Sequence, residues 1–331
     1  MSNRKLTRIA VALVLVLAIL LFSSGSALAD TVRVAVVQPL SHTSLNQIRD
    51  TIISELEASD VDFEIITRNA EGDSAALSTI LENVKADGVD ILVPIATNTA
   101  QSSKMVFADE GIPVVFAAVS DPVAAGLTGD DCAYITGVSN NIPAAEIVTL
   151  ISDFQPEYKL IGFLYTSSET NSVSTINAAK AYCDANGIAY EEVSIANLSE
   201  LQTAVETLVS KGVDALYTGN DNSIASAMST YIDVAYEYGI PVYCGADSMV
   251  ADGGFATIGV DYVQLGRQVA DLVERIAAGE QPEDIPYETL SDYARFVNLQ
   301  AADKIGIAIS EEILASYNVL VEADGTSHFG E

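Results

Sequence analysis

Ile91-Leu-Val-Pro-Ile-Ala-Thr-Asn-Thr-Ala-Gln101 and, shortly after it, Val114-Val-Phe-Ala-Ala-Val-Ser-Asp-Pro122 decide the fold of this chain. In each, an apolar run long enough for a strand buried on both faces stops abruptly in hydroxyl, amide and carboxylate residues. Strands of that kind belong to parallel sheets covered by helices. In open parallel α/β sheets small molecules bind in the crevice beyond the carboxyl ends of the strands. Thr97, Asn98, Thr99, Ser120 and Asp121 are therefore the first candidate ligand contacts.

Working outward, strands are expected at residues 31–39, 61–67, 89–96 and 112–119, separated by helical stretches. One of these helices places Leu77, Ile80, Leu81 and Val84 on a single face and has Asp73 as its cap. The result is a βαβαβαβ order, hence a parallel sheet with helices on both faces. Beyond Ile135-Thr-Gly137 the same grammar restarts: a helix over 144–154, strands at 159–165, 189–194, 215–217, 240–244 and 256–259, and helices between them. Ser199 with Gln202 forms a capping box before Leu201, Val205 and Leu208. A further helix is expected near residues 223–236. The halves match in order. Asp87-Gly-Val-Asp-Ile-Leu-Val-Pro94 parallels Lys211-Gly-Val-Asp-Ala-Leu-Tyr-Thr218, and Glu110-Gly-Ile-Pro-Val-Val115 parallels Tyr238-Gly-Ile-Pro-Val-Tyr243. Each pairs a helix-terminating glycine with a buried strand.

The N-terminus has the form of an export signal: basic Arg4, Lys5 and Arg8, an apolar run over 9–22, and Ala27-Leu-Ala29 as a cleavage site. The run is shorter than the roughly 20 residues that span a bilayer. Retention as an anchor is the alternative. The chain is exported on this reading, soluble after cleavage, and either periplasmic or otherwise extracytoplasmic. Its formal charge is −31, and loss of the basic leader makes it more negative. Such a surface repels nucleic acid and anionic lipid. Three widely spaced cysteines, Cys132, Cys183 and Cys244, make neither a disulfide framework nor a metal motif, and the two histidines, His42 and His328, form no visible metal or triad set. No dinucleotide, phosphate-loop, serine-elbow or zinc-protease motif follows any strand. Missing motifs do not exclude catalysis, but they remove the readily recognised enzyme classes; no metal, cofactor or catalytic residue is expected, and a binding protein, not an enzyme, is the expectation.

The strand ends of the first half offer Ser41, His42, Thr97, Asn98, Thr99, Ser120 and Asp121, with Ser139 after the next strand. Those of the second half offer Tyr165, Ser167, Asn171, Ser172, Asn220, Asp221, Asn222 and Asp247. Most precede helices, whose N-terminal N–H groups hold a carboxylate without any arginine. Any single one of these residues is equally well explained as a helix cap.

Val93-Pro-Ile-Ala-Thr-Asn-Thr-Ala-Gln101, Ala118-Val-Ser-Asp-Pro-Val-Ala-Ala-Gly-Leu127, Thr136-Gly-Val-Ser139, Gly162-Phe-Leu-Tyr-Thr-Ser-Ser-Glu-Thr-Asn-Ser-Val173 and Gly259-Val-Asp-Tyr-Val-Gln-Leu-Gly266 resemble, in order, the tryptophan/tyrosine-type ABC-transporter substrate-binding proteins. The resemblance implies a class I periplasmic-binding-protein fold, with two lobes joined by three crossovers and an amino-acid-like, often aromatic, solute clamped between them. It also implies delivery to a membrane permease with ATPase subunits, by a monomer. Under that resemblance, lobe I comprises residues 30–137 and 261–281, and lobe II 138–260 and 282–331, with residues 1–29 as the leader. Crossovers are expected near 136–139, 259–262 and 282–287, and Val269, Leu272, Val273 and Ile276 form a helix returning to lobe I. Thr97, Thr99 and Ser120 would hold an α-carboxylate, Asp247 or Asp221 would pair with the ammonium, and Tyr165 and His42 would line the side-chain pocket. Asn171, Ser172, Asn220 and Asn222 would orient the solute. The alternatives keep the fold and change the solute to a sugar, nucleoside or branched-chain amino acid, or the role to ligand sensing. A secreted enzyme on two such lobes is a further alternative.

Overall fold

The computed structural model describes residues 31–108, 110–291 and 293–329, so the expected leader at 1–29 lies outside the described residues. The strands are β1 (Val32–Gln38), β2 (Phe63–Asn69), β3 (Ile91–Pro94), β4 (Val114–Ala117), β5 (Ile135–Ser139), β6 (Leu160–Thr166), β7 (Ala189–Ile195), β8 (Ala215–Thr218), β9 (Val242–Cys244), β10 (Ala256–Val260), β11 (Glu288–Thr289), β12 (Tyr293–Asn298) and β13 (Asn318–Val321). The helices are α1 (Thr43–Ala58), α2 (Ser74–Ala86), α3 (Thr97–Phe107), α4 (Ala144–Phe154), α5 (Thr170–Asn186), α6 (Leu201–Ser210), α7 (Asn222–Ala225), α8 (Met228–Glu237), α9 (Asp247–Ala251), α10 (Tyr262–Ala277), α11 (Leu299–Ile305) and α12 (Glu311–Leu314).

They build two sheets. The first has six strands in the order β11-β5-β4-β3-β1-β2, all parallel. The second has seven in the order β13-β12-β10-β9-β8-β6-β7, parallel except where β12 runs against β10. The central strands β3 and β4 are buried at every position, which is why they read as continuous apolar runs. The edge strands β2 and β7 are largely half-exposed and include the charged residues Glu64, Arg68, Glu191 and Glu192. The order of each sheet reverses beside its first strand, β1 or β6, and the crevice at such a switch point is where α/β folds place ligands.

The chain passes between the sheets three times: after Ser139, after Val260, and between Thr289 and Tyr293. The first two crossings lie where the sequence put them. The expected third, at 282–287, is displaced, because the chain first adds the two-residue strand β11 beside β5. By strand pairing, Val138, Ser139, Glu288 and Thr289 belong with the first sheet, so the expected boundaries at 137 and 282 cut through it.

Helix α10 seats its buried face, Leu265, Val269, Leu272, Val273 and Ile276, on the first sheet and on α1. Each large side chain so buried contributes about 1.5–3 kcal/mol. Gly266 permits the approach, since a Cβ there would stand 2.7 Å from the Thr51 side chain and 3.2 Å from the Ile48 carbonyl. Asp73 caps α2 by accepting from the N–H groups of Ala75 and Ala76. The expected Ser199–Gln202 capping box is not what forms. Asn197 accepts from the N–H of Ser199, and Glu200 reaches back to the N–H of Ala196, so the reciprocal pair starts two residues earlier. The helix expected near 223–236 is interrupted at 226–227 into α7 and α8. All three cysteines are buried free thiols, and no described helix is long and apolar enough to cross a membrane.

Candidate functional site

Between the carboxyl ends of the two sheets lies a small chamber walled by residues of both halves, in the crevice where open α/β sheets place their ligands. The first half contributes His42, Ser44 and Leu45 from the start of α1, Ala118 and Ser120 beyond β4, and Tyr262 at the start of α10. Asn140 reaches it from the first crossover. The second half contributes Asn171 from α5, Asn220, Asp221, Asn222 and Ala225 around α7, and Ala246 and Met249 around α9. Outside it runs a wider groove, lined by Ser41, Asn98 and Glu169 among others, and Asn222 belongs to both walls.

Hydrogen bonds across the cleft close the chamber. His42 Nε2 meets Asn222 Oδ1 at 3.2 Å, and the hydroxyls of Ser44 and Ser248 meet each other. Thr170 donates to Gln101 at 3.2 Å, and Ser174 donates to Asp121. Tyr262 donates its hydroxyl to Asn220 Oδ1 at 3.3 Å while accepting from Asn140 Nδ2 at 3.4 Å. Beneath Asn220 the chain at Gly245 passes so closely that a Cβ there would lie 2.5 Å from the Asn220 nitrogen. Burial lowers the His42 imidazole below its ordinary value, against the opposing pull of Asn222 and Glu169. The ring is therefore neutral near pH 7.

Asp221 caps α7 through the N–H of Ile224 and also accepts from the N–H and hydroxyl of Thr166, at 2.6 and 2.9 Å. Burial, with Glu169 nearby, raises its carboxyl above the usual range, and those hydrogen bonds oppose the rise. Asp247 is pushed up to about 6 by burial. It stands behind the wall beside Ala246 and accepts from the N–H of Ser248.

Of the sixteen residues expected from sequence, His42, Ser120, Asn171, Asn220, Asp221 and Asn222 come together on the chamber wall. Ser41 and Asn98 line the outer groove. Asp121 lies in the seam between the halves, as its bond from Ser174 shows. Thr97 and Thr99 are buried in the first turn of α3, off the chamber wall, with hydroxyls that have no protein partner. Ser139 and Ser172 are buried but do not reach the wall, and Ser167 donates to the carbonyl of Ile195. Tyr165 does not line the chamber: it donates across the sheet to Glu192 at 3.2 Å, on the side where Lys180 lies. Sequence reasoning passed over Asn140, Tyr262, the apolar wall of Leu45, Ala225 and Met249, and above all Glu169. That carboxylate occupies the N-cap position of α5 yet makes no capping bond there, turning instead to the start of α7. A long acidic side chain at a helix start reads as dipole compensation, which hides such a role.

The family model described as ABC transporter substrate binding protein matches residues 33–320. A tyrosine-binding protein of Clostridioides difficile is 29% identical over 272 residues, covering 80% of this chain and 78% of the relative. The structure of an ABC domain in complex with L-Trp from Streptococcus pneumonia is 32% identical, with a TM-score of 0.82, covering 88% of this chain and 99% of that one. A ligand-free, open structure of a substrate-binding protein from Clostridium difficile, 28% identical, covers 87% of this chain and 99% of that one, with a TM-score of 0.66.

Proposed function

Because the chain belongs to the ABC transporter substrate-binding protein family, we propose that it captures an amino acid with an aromatic ring outside the cytoplasm and presents it to a membrane permease. The observation that carries this reading is the cleft between the two halves, whose wall residues include His42 and Asn171, with a buried Nδ1 and a buried Oδ1 that have no protein partner. Buried polar groups are nearly always paired, so atoms left bare on residues that wall a cleft point to a ligand that pairs them. The relatives described as tyrosine-binding and as an L-Trp complex support an aromatic amino acid.

In this reading the ammonium lies toward Asp221 and the neighbouring Glu169, which offset the cost of burying its charge. The carboxylate lies toward Ser120 on the chamber wall beyond β4, with the uncapped first turn of α3, where Thr97 and Thr99 are buried off that wall, as the next nearest group of donors if the cleft opens to it. The ring packs against Leu45, Ala225 and Met249, with Tyr262 beside it. Residues 1–29 are an export leader, the two lobes hinge about the three crossings, and solute shifts them toward the closed form that docks on the permease. The protein works as a monomer.

Binding is tested by thermal denaturation against amino acids, sugars and nucleosides. A ligand at a hundredfold excess over its Kd adds about 2.7 kcal/mol of stability. The chain contains no tryptophan, so L-Trp fluorescence reports its own capture. A rise in Tm with L-Tyr or L-Trp is expected. A rise with a sugar or nucleoside alone overturns the reading.

A further inference from the structure

The two bare atoms of the chamber are both acceptors, and a single carboxylate makes them so. Glu169 is 3% exposed. Its Oε1 accepts from the N–H and hydroxyl of Ser223 at 2.8 and 2.7 Å. Its Oε2 accepts from the N–H of Asn222 at 2.9 Å, from Asn222 Nδ2 at 2.7 Å and from Asn171 Nδ2 at 3.1 Å. Both oxygens already accept from backbone N–H groups, which can only donate, and both asparagines turn their amide nitrogens toward them. Asn222 then has only its oxygen to show His42, and Nε2 of the imidazole must carry the proton to donate across the 3.2 Å contact. In the neutral ring that leaves Nδ1 as a lone-pair acceptor. Asn171 spends its nitrogen on Glu169 and on the Asn220 carbonyl, so its Oδ1 is likewise left to accept. Both Nδ1 of His42 and Oδ1 of Asn171 are buried without a partner. They come from opposite sides of the cleft.

We infer that Glu169 sets the hydrogen-bond polarity of the chamber, which thereby selects a solute carrying two separate donors: an ammonium for Asn171 Oδ1, and a ring N–H or O–H for His42 Nδ1. This rests on the amino-acid reading above and narrows it. The ammonium is assigned to the Asn171 side because Asp221 and Glu169 stand there, whereas His42 and Leu45 begin the same helix and His42 adjoins the apolar wall. A phenol or an indole satisfies the ring. A phenyl group buries Nδ1 against carbon and leaves it unpaired, a penalty sites of this kind turn into selectivity. Glu169 acts here as a positioning residue and His42 as a specificity contact.

Calorimetric titration of the purified protein with L-Tyr, L-Trp and L-Phe tests this. L-Tyr or L-Trp is expected to bind about 10- to 100-fold tighter than L-Phe. His42→Phe should erase that preference by weakening the donor-bearing ligands alone, and His42→Gln, which can still offer an oxygen, should restore part of it. Glu169→Gln frees both asparagines to turn and should shrink the preference, an effect that a general loss of stability, weakening all ligands alike, does not produce. If Glu169→Gln fails to fold, the His42 pair decides. Equal affinity for L-Phe, or an undiminished preference in His42→Phe, overturns the inference while leaving the amino-acid reading intact. Binding of a sugar with no response to any amino acid overturns both.

Discussion

The corner where β3 enters α3 and the corner where β8 enters α7 hold matching places in the two sheets, yet their polar groups are treated in opposite ways. Each follows the third strand of its half, which lies next to the first strand of that half. At the first corner Ala96 has φ 71° and ψ 158°, a region normally left to glycine, its helix has no side-chain cap, and the hydroxyls of Thr97 and Thr99 are buried and unpaired. Ala118, one strand over at the end of β4, is also left-handed, at φ 57°. At the second corner Asp221 caps the helix in an ordinary extended conformation and holds the end of β6 through Thr166. Strain and bare polar groups cost about 1–3 kcal/mol each, so a fold keeps them where something else offsets them. The first corner thus keeps a strained backbone and unpaired hydroxyls, whereas at the second Asp221 and Thr166 are paired within the protein.

The largest effect should come from breaking the pairing at the second corner. Asp221→Ala deprives the N–H and hydroxyl of Thr166 and the N–H of Ile224 of their acceptor inside the protein. A loss of about 3–5 kcal/mol is expected in denaturant unfolding of the solute-free protein. A loss below about 1 kcal/mol would mean that the second corner is no more self-sufficient than the first.

Asp247, at the next corner of the second half, gives an intermediate effect with a definite sign. Burial pushes its carboxyl up to about 6, well above the ordinary aspartate range, so its contribution favours the fold below about pH 4 and is lost as the pH rises through 6. Asp247→Asn should therefore match the parent near pH 4 and exceed it at pH 7 by about 1–3 kcal/mol. If the gain appears in acid and fades toward neutrality, the burial argument has the wrong sign.

The corners were legible in the sequence because parallel strands buried on both faces leave an unmistakable apolar run that must end in polar residues. β11 was not, since two residues carry no period, and its absence moved the third crossing. Nor was β12, whose Tyr293-Ala-Arg-Phe-Val-Asn298 lacks both the continuous burial of a central strand and a clean alternation. At the site, residue type marked the right loops but not the direction of each side chain. Tyr165 looked available for stacking, but its hydroxyl lies across β7 on Glu192. Glu169 drew no reading from the sequence and is an acceptor for five donors drawn from three residues, Asn171, Asn222 and Ser223. Such roles arise only once two helix starts distant in sequence are brought together.

The smallest effect on stability, and the sharpest separation of the two corners, lies in replacing a hydroxyl by a methyl group of nearly the same size. Thr99 is fully buried and its Oγ1 has no protein partner. Thr99→Val therefore removes a desolvated polar group without breaking a bond, and the solute-free protein should be unchanged or gain up to about 1 kcal/mol. If that hydroxyl belongs to the carboxylate subsite, affinity for the amino acid should fall about tenfold, the equivalent of one ordinary hydrogen bond. Thr166 provides the contrast, because its hydroxyl donates to Asp221 at 2.9 Å. Thr166→Val should cost stability in the absence of any solute. Unfolding of both variants with and without ligand reads the two terms separately. A Thr99→Val protein that loses stability alone and keeps its affinity would show that the first corner, like the second, is framework, and that the carboxylate is held elsewhere in the cleft.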